Sequence, residues 1–295
     1  MSSVLYDVPG PKAIARNRIL GVVTVVVVAA LLGILIWRLA ESGQFSAYKW
    51  QAFGYSRIWE QFGIATLRTL AAFALSAVGA LALGFILAIG RMSDHAWVRW
   101  PFIAIVEVLR AVPVLIMMML IYYGLPVVGI KLESYWAVVI ALVAYNGSVL
   151  AEVLRAGIES LPRGQAEAGY AVGLRKAGVM RLVLLPQAIR AMLPVIIAQL
   201  VVTLKDTALG FIITYPELLY FAKQLGSNAV LGSPLIPSAI VAGAIYISMC
   251  LLLSLAAVKV EKRLRSSPRV HTTPGAGAPL LEGTETELIV TQKRE

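Results

Sequence analysis

Cysteine and histidine are nearly absent from this 295-residue chain, which has one cysteine, Cys250, and two histidines, His95 and His271. A single cysteine excludes an intrachain disulfide, and two histidines far apart in polar segments do not make a metal-binding cluster. There is no GxxxxGK[ST] phosphate loop either, because the nearest approach, Gly173 to Gly178, lacks the lysine that reaches the phosphates. We therefore expect neither catalysis nor a cofactor in this chain itself.

Charged residues are also scarce. They make up 14% of the chain, whereas 59% of the residues are hydrophobic and the mean hydropathy is +0.80. This composition is typical of a polytopic membrane protein, and apolar stretches long enough to cross a hydrocarbon core of about 30 Å predict an all-α fold. About six such helices are predicted, at 19–38, 62–90, 102–123, 135–154, 186–204 and 236–258.

The formal net charge of +10 comes from basic residues spread over the segments between these spans, so nucleic acid is not an expected partner. If the N-terminus is cytoplasmic, 17 basic residues fall on the cytoplasmic side, and only Lys49, Arg57, Lys131, Lys205 and Lys223 fall outside. Basic residues concentrate in cytoplasmic loops of membrane proteins. The sequence therefore predicts a multi-pass protein of the bacterial cell membrane with both termini in the cytoplasm.

Four regions are predicted along the chain. Residues 1–18 form a cytoplasmic segment, 19–60 an additional first helix with an external loop, 61–265 the transmembrane domain, and 266–295 a disordered cytoplasmic tail. The basic residues before the first span could instead mark a secretory signal, with a weak cleavage site at Phe45-Ser46-Ala47. The length of the apolar run favours a helix that is not cleaved.

One polar segment, Ile158–Pro186, interrupts the apolar blocks. Pro162 and Gly164 end the preceding helix, a short helix is predicted at about 165–172, Gly173 permits a sharp turn, and the final proline opens the next helix. Small residues recur along the short helix and permit close seating in a cleft of another protein. A solvated loop is the alternative interpretation, but such a loop does not need small residues.

The spacing of this segment resembles the signature loop of the permeases of ATP-binding-cassette (ABC) importers, which reads Glu-Ala-Ala, three residues, Gly, nine residues, then Ile-x-Leu-Pro. Here the chain has Glu167-Ala168-Gly169, Gly173 and Val183-Leu184-Leu185-Pro186, with Gly169 and Val183 as departures. The resemblance implies a type I ABC importer permease fold with a coupling loop at 156–185. It assigns ATPase coupling to Arg163, Gly164, Glu167, Ala168, Gly169 and Gly173.

Further segments are similar to the polar amino-acid permeases of this family, among them EVLRAVPVLIMMMLIYYGLP at 107–126, NGSVLAEVLRAGIESLPRGQ at 146–165 and LKDTALGFIITYPELL at 204–219. The opening VLYDVPGPK, the additional first helix and the tail resemble glutamate-type permeases. The resemblance implies import of a polar amino acid, with glutamate expected. It also implies partners: ABC ATPase subunits, a second permease in a heterodimer, and an extracytoplasmic solute-binding protein.

Polar residues inside membrane spans are costly and therefore mark candidate functional positions. Glu107 and Arg110 lie three apart on one helical face and can pair, as a structural ion pair or as part of a pathway, and Pro113 is expected to bend the helix just beyond them. Gln199 and Asp206 are seven apart and face the same way. The resemblance implies that these last two line the substrate cavity, and the predicted pathway comprises Glu107, Arg110, Gln199, Thr203, Lys205 and Asp206.

Four of the pathway residues have a possible chemical role, and two of these four also have an alternative. Asp206 could receive an ammonium group, Gln199 suits a zwitterion, and Lys205 or Arg110 could meet a carboxylate. In the alternative, Lys205 extends to the membrane interface and Asp206 caps a broken helix.

Glutamine, arginine or another polar amino acid is the alternative substrate. An ion-coupled secondary transporter is the alternative class, but it would not need the polar segment, and a scaffold or sensor would need a sizeable soluble domain.

Overall fold

The computed structural model describes residues 10–265, and every regular element in that range is helical. The helices are α1 Pro11–Glu41, α2 Ala47–Trp50, α3 Ser56–Arg91, α4 Ala96–Ala111, α5 Val114–Met119, α6 Ser134–Glu159, α7 Arg163–Ala171, α8 Lys176–Val179, α9 Leu185–Asp206, α10 Leu218–Gly226 and α11 Leu235–Arg265. The predicted all-α fold is confirmed. The predicted disordered tail at 266–295 lies outside the described residues.

Within the described range, five helical segments are long and apolar enough to cross a membrane: Pro11–Glu41, Ser56–Arg91, Ser134–Glu159, Lys176–Ile213 and Leu235–Arg263. A sixth crossing would combine α4 with the segment Val114–Val128, and these two parts are bent by 96° relative to each other. Length and composition alone leave open whether this bent pair crosses the membrane.

Contacts between α3 and α6 resolve the number of crossings. Gly79 on α3 lies against Val143 on α6, and Gly84 lies against Leu150, so the two helices run in the same direction. The chain between parallel helices has to return to the side where it started. The bent pair therefore leads from one end of the bundle to the other and is a sixth candidate crossing, in agreement with the predicted number of about six.

The third crossing corresponds to the span predicted at 102–123, in which a bend at Pro113 is expected. It is broken between Ala111 and Val114, with Pro113 in the gap. Proline has no backbone N–H and clashes with the preceding turn, so it ends α4 at this point. The bend expected at Pro113 is confirmed, and its angle of 96° divides the span into two separate helical parts.

Small residues on α3 allow a close approach to α6. Ser76, Ala80 and Gly84 are all buried. A Cβ atom on Gly84 would lie 2.9 Å from both the Gly147 carbonyl oxygen and the Leu150 Cβ atom, which leaves no room for a side chain. In a bilayer, where apolar side chains gain little by leaving lipid, close backbone contact of this kind drives helix association.

The first helix is arranged differently, because α1 has no buried residue in the described chain. The segment that follows it is well packed: Tyr48 lies against Gly232, and the rings of Phe53 and Phe62 are stacked with centroids 6.2 Å apart. The additional helix is therefore attached through the segment after it, and its own apolar surface is left for lipid or another subunit.

A buried carboxylate fixes α10 at the end of the bundle opposite α7. Glu217 accepts hydrogen bonds of 2.7 Å from the backbone N–H groups of Leu219 and Tyr220 and one of 2.6 Å from the Tyr246 hydroxyl. Burial raises the pKa of Glu217 to about 6, although these donors act in the opposite direction. The carboxylate thus caps α10 and joins it to α11.

Candidate functional site

The polar segment 158–186, called the elbow below, forms the predicted turn, short helix and turn. α7 extends over Arg163–Ala171, close to the predicted 165–172, and begins directly after Pro162. Gly173 has a φ of +82°, in the left-handed region that glycine adopts without strain. The short helix α8 and a π-helical turn at Met180–Leu184 then lead into α9.

Most residues assigned to ATPase coupling are exposed on the elbow, namely Arg163, Gly164, Glu167, Ala168 and Gly173. Gly169 is an exception because it is buried, and a Cβ atom there would lie 2.9 Å from the Val179 side chain. The small size of Gly169 therefore serves the packing of α7 against α8 within this chain. Its expected seating in a cleft of another protein is corrected accordingly.

Two contacts connect α7 to α9 and to the segment that leads into it. Gly169 packs against Val179 just before the π-helical turn that leads into α9. In addition, the Gln187 side-chain amide on α9 donates a hydrogen bond of 3.2 Å to the Gln165 side-chain oxygen on α7. α7 is therefore held to the segment before α9 by packing and to α9 itself by a polar contact.

Charged side chains from α3, α4 and α6 meet near the elbow. Glu152 is 2.8 Å from Arg91 and 3.8 Å from Arg110, and it also accepts a hydrogen bond from Arg155. Glu107 pairs with Arg91 at 3.6 Å. The predicted Glu107–Arg110 pair is therefore wrong, because α4 lies across α3 and α6 and both residues find partners on those helices.

Gln199 joins the middle of α9 to the middle of α6. Its side-chain amide donates a hydrogen bond of 2.7 Å to the Asn146 side-chain oxygen. Asn146 is fully buried and donates from its own amide to the Leu142 carbonyl oxygen at 3.0 Å. The sequence interpretation did not include Asn146, although a polar residue in the middle of a predicted span was the signal that could have identified it.

Asp206 is partly buried, and no hydrogen bond or ion pair reaches its carboxylate from the described residues. The alternative role as a helix cap is therefore absent, because its side chain caps no backbone N–H group of the following 3₁₀ turn. An anionic oxygen left without a protein partner in a desolvated place is suited to a cationic ligand group.

The other two pathway residues of α9 are placed differently. The Thr203 hydroxyl is buried and donates to the Gln199 carbonyl oxygen at 2.9 Å on its own helix. Lys205 is exposed and lines a cavity with Tyr246 and Cys250 of α11, on another face of α9 from Gln199. The structure therefore does not bring all six predicted residues into one cavity.

Glu107 and Arg110 line a separate cavity of 360 Å³ together with Ala111, Tyr145 and Val149. Tyr145 precedes Asn146 on α6, so the two groups of predicted pathway residues approach the same turn of that helix. Among the described residues, no group of three or more histidine, cysteine or carboxylate side chains is placed to hold a metal ion. The predicted pathway residues thus lie in separate groups on α4 and α9.

Five to six membrane-spanning helical segments, polar side chains inside the bundle and a polar elbow connected to α9 are the features of an α-helical membrane transport protein. Residues 80–266 match the family described as binding-protein-dependent transport system inner membrane component, and the chain belongs to this family.

Relatives within the family are amino-acid permeases. The chain is 38% identical over 232 residues to the glutamate transport system permease protein GluD of Corynebacterium glutamicum, covering 77% of this chain and 84% of that protein. It is 32% identical to the arginine transport system permease protein ArtQ of Bacillus subtilis, covering 68% and 90%. The probable glutamine permease GlnP of the same organism is 35% identical, covering 54% and 73%.

Solved structures agree with this assignment. An amino acid ABC transporter crystallised with histidines matches with a TM-score of 0.63 and 30% identity, covering 69% of this chain and 94% of that chain. A subunit of the MetNI methionine ABC transporter in an inward-facing conformation matches with a TM-score of 0.61 at 17% identity, covering 71% and 99%, and shows the shared fold. The chain is therefore a multi-pass permease of an amino-acid ABC importer.

Proposed function

We propose that this permease carries glutamate into the cytoplasm, driven by separate ATPase subunits that bind at the elbow. Asp206 is the observation that supports an amino acid most directly, because it is a partly buried carboxylate that no described residue satisfies. It lies seven residues, and so nearly two helical turns, from Gln199 on α9. An α-ammonium group fits the carboxylate, and the Gln199–Asn146 amide pair offers neutral polar contacts to the rest of a zwitterion.

The choice of glutamate has two supports. The glutamate permease of Corynebacterium glutamicum aligns over 232 residues at 38% identity, a longer and closer match than the arginine and glutamine relatives described above. Arg110 lines the cavity beside Tyr145, and although it lies 3.8 Å from Glu152, its guanidinium has further donors for a side-chain carboxylate. Lys205 is less suited to this role because it lies on the α11 side of α9. Glutamine and arginine remain the alternative substrates.

The coupling mechanism follows from how α7 is held. ATP-driven closure of the ATPase subunits would displace α7, and the contacts of Gly169 with Val179 and of Gln165 with Gln187 would carry the displacement to α9. α9 bears both Gln199 and Asp206. A rigid-body movement of this kind exposes the pathway alternately to the two sides of the membrane.

The remaining parts of the proposal concern assembly and orientation. We propose a heterodimer with a second permease, delivery of the amino acid by an extracytoplasmic binding protein, and an elbow that faces the cytoplasm. The excess of basic residues at the elbow end supports this orientation.

Replacing Asp206 by asparagine tests the substrate site. Asp206→Asn keeps the size and most of the hydrogen-bonding capacity but removes the charge, and loss of one partner from a desolvated charge pair costs about 2 to 5 kcal/mol. We expect uptake of radiolabelled glutamate by cells to fall at least about tenfold while the protein still assembles with its ATPase. Glu60→Gln, an exposed carboxylate change near the start of α3, is the control and should leave uptake unchanged.

Arg110→Met tests the substrate identity separately from the site. If the substrate is glutamate, this change should reduce glutamate uptake and reduce the preference for glutamate over glutamine in competition assays. Normal uptake by an Asp206→Asn protein that assembles would contradict the site. An unchanged preference in Arg110→Met would contradict the glutamate assignment while leaving the site intact.

A further inference from the structure

A large apolar groove lies at the elbow end of the bundle, outside the pathway described above. It has a volume of 730 Å³ and is enclosed by the last turns of α3 and α6 and by the segment between α8 and the start of α9. Its floor consists of the buried side chains Ala88, Leu154 and Ile158. Phe85 and Ile89, which are 37% and 52% exposed, form the side that faces outward from α3.

The rim of this groove carries both charges and polar groups. Lys176 forms an ion pair with Asp94 and donates a hydrogen bond of 3.3 Å to the Met92 carbonyl oxygen. Arg181 lies on the same rim and has no hydrogen-bond or ion-pair partner among the described residues. His95 is also on the rim. Since Asp94 offsets only one of the two cations, the rim retains a positive charge.

We propose that the groove binds an anionic glycerophospholipid, with its phosphate at Arg181 and an acyl chain along the floor. An aliphatic chain matches a floor of alanine, leucine and isoleucine side chains, and the arginine is available for the phosphate. The groove lies where α3 and α6 end, at Arg91 and Glu159, which is the depth of lipid headgroups for helices that span the bilayer. Basic pockets between membrane helices near that depth bind anionic headgroups.

This site would connect lipid composition to the elbow. Lys176 and Arg181 belong to the segment that joins α7 to α9, so a bound headgroup would hold that segment against α3 and α6. The proposal does not depend on which amino acid the permease carries, because the lipid contacts none of the pathway residues.

Native mass spectrometry of the purified full-length chain with its partner subunits tests the proposal. The complex in detergent is titrated with palmitoyl-oleoyl phosphatidylglycerol and, separately, with palmitoyl-oleoyl phosphatidylcholine. We expect saturable retention of the anionic lipid and much weaker retention of the zwitterionic one. Because a basic residue near anionic lipid contributes about 1 kcal/mol, Arg181→Gln should weaken retention of phosphatidylglycerol about fivefold.

Two further variants separate the proposed site from general lipid binding. Arg57→Gln removes an exposed arginine at the other end of α3 and should not change retention. Ala177→Trp, at an exposed position on the rim, keeps both cations but narrows the groove, so it should reduce retention of the anionic lipid. Equal retention of the two lipids, or an Arg181→Gln effect no larger than that of Arg57→Gln, would overturn the proposal. Unchanged retention in a folded Ala177→Trp protein would overturn the placement of the acyl chain, and if that variant does not fold, the Arg181→Gln result decides.

Discussion

At the scale of single residues, Glu152 has three charged partners. Its carboxylate is one-quarter exposed and contacts Arg91, Arg110 and Arg155, which come from α3, α4 and α6. The Arg91 side chain is only 10% exposed, and Glu152 at 2.8 Å is its nearer and more buried partner, because Glu107 lies at 3.6 Å and is 60% exposed. An incompletely solvated cation that loses its partner is costly, and Glu152 therefore stabilises the junction of three helices.

The first prediction concerns this carboxylate. We expect Glu152→Gln to lower the free energy of unfolding by about 2 kcal/mol, less than the full cost of breaking a deeply buried pair because Glu152 is partly solvated. Glu159→Gln is the matched control on the same helix. Glu159 is exposed and pairs only with Arg155 in the described chain, so its loss should cost about 0 to 1 kcal/mol. Denaturant unfolding of both proteins in the same detergent compares them, and equal losses would contradict this role.

Residue-level interpretation of the sequence was partly successful. The seven-residue spacing of Gln199 and Asp206 correctly placed them on one helix, because helical periodicity is a local property. The partners of Glu107 and Arg110 could not be obtained in the same way. Ion pairs between helices depend on how α4 crosses α3 and α6, and spacing along one helix does not contain that information.

Among the elements, the parallel pair α3 and α6 forms the centre of the bundle. Gly84 is in direct contact with the α6 backbone, whereas Gly63 on the same helix has no atom within 4 Å of its would-be Cβ position. Two glycines of one helix thus have opposite environments.

This contrast gives a prediction with an internal control. Gly84→Ala should destabilise the protein by about 1 to 3 kcal/mol, because the methyl group meets backbone atoms that cannot move aside easily. Gly63→Ala should be neutral or stabilising by up to about 1 kcal/mol, since alanine favours the helix and meets nothing. Thermal unfolding in detergent measures both. A Gly84→Ala protein as stable as Gly63→Ala would show that α3 and α6 are not packed so closely.

The elbow is the element expected to contact the ATPase. Glu167 is exposed on α7, so reversing its charge should leave the membrane bundle intact. We expect Glu167→Lys to reduce co-purification of the ATPase subunits and to abolish uptake, because charge in a docking cleft is sensitive to sign. Glu60→Lys, a reversal of an exposed charge near the start of α3, should co-purify the ATPase normally. Wild-type yield of ATPase with Glu167→Lys would exclude the elbow as the attachment site.

The elements themselves were largely predictable. The elbow helix was placed within about two residues of α7 because proline and glycine mark its ends through backbone geometry alone. The 96° angle of the third crossing was not predictable. Pro113 indicates where a helix breaks, but the direction of the chain afterwards depends on the packing of the following segment against α6.

For the whole molecule, six crossings would put the start of α1 and the end of α11 on the same side of the membrane. The parallel arrangement of α3 and α6 supports the sixth crossing, and the orientation is a prediction from the distribution of basic residues. We expect reporter fusions at the N-terminus and at the C-terminus both to give cytoplasmic signals. A fusion after Val128 should give an external signal. An external signal at the N-terminus, or cleavage near Ala47, would remove α1 from the membrane domain.

The central claim is that this permease imports an amino acid at the expense of ATP. The most direct measurement is accumulation of radiolabelled glutamate in proteoliposomes that contain the permease with its ATPase and second permease. ATP is enclosed on the elbow side of the membrane, and the binding protein is added on the opposite side. We predict accumulation against a gradient that requires both ATP and the binding protein. Accumulation driven by a sodium or proton gradient without ATP would contradict the account.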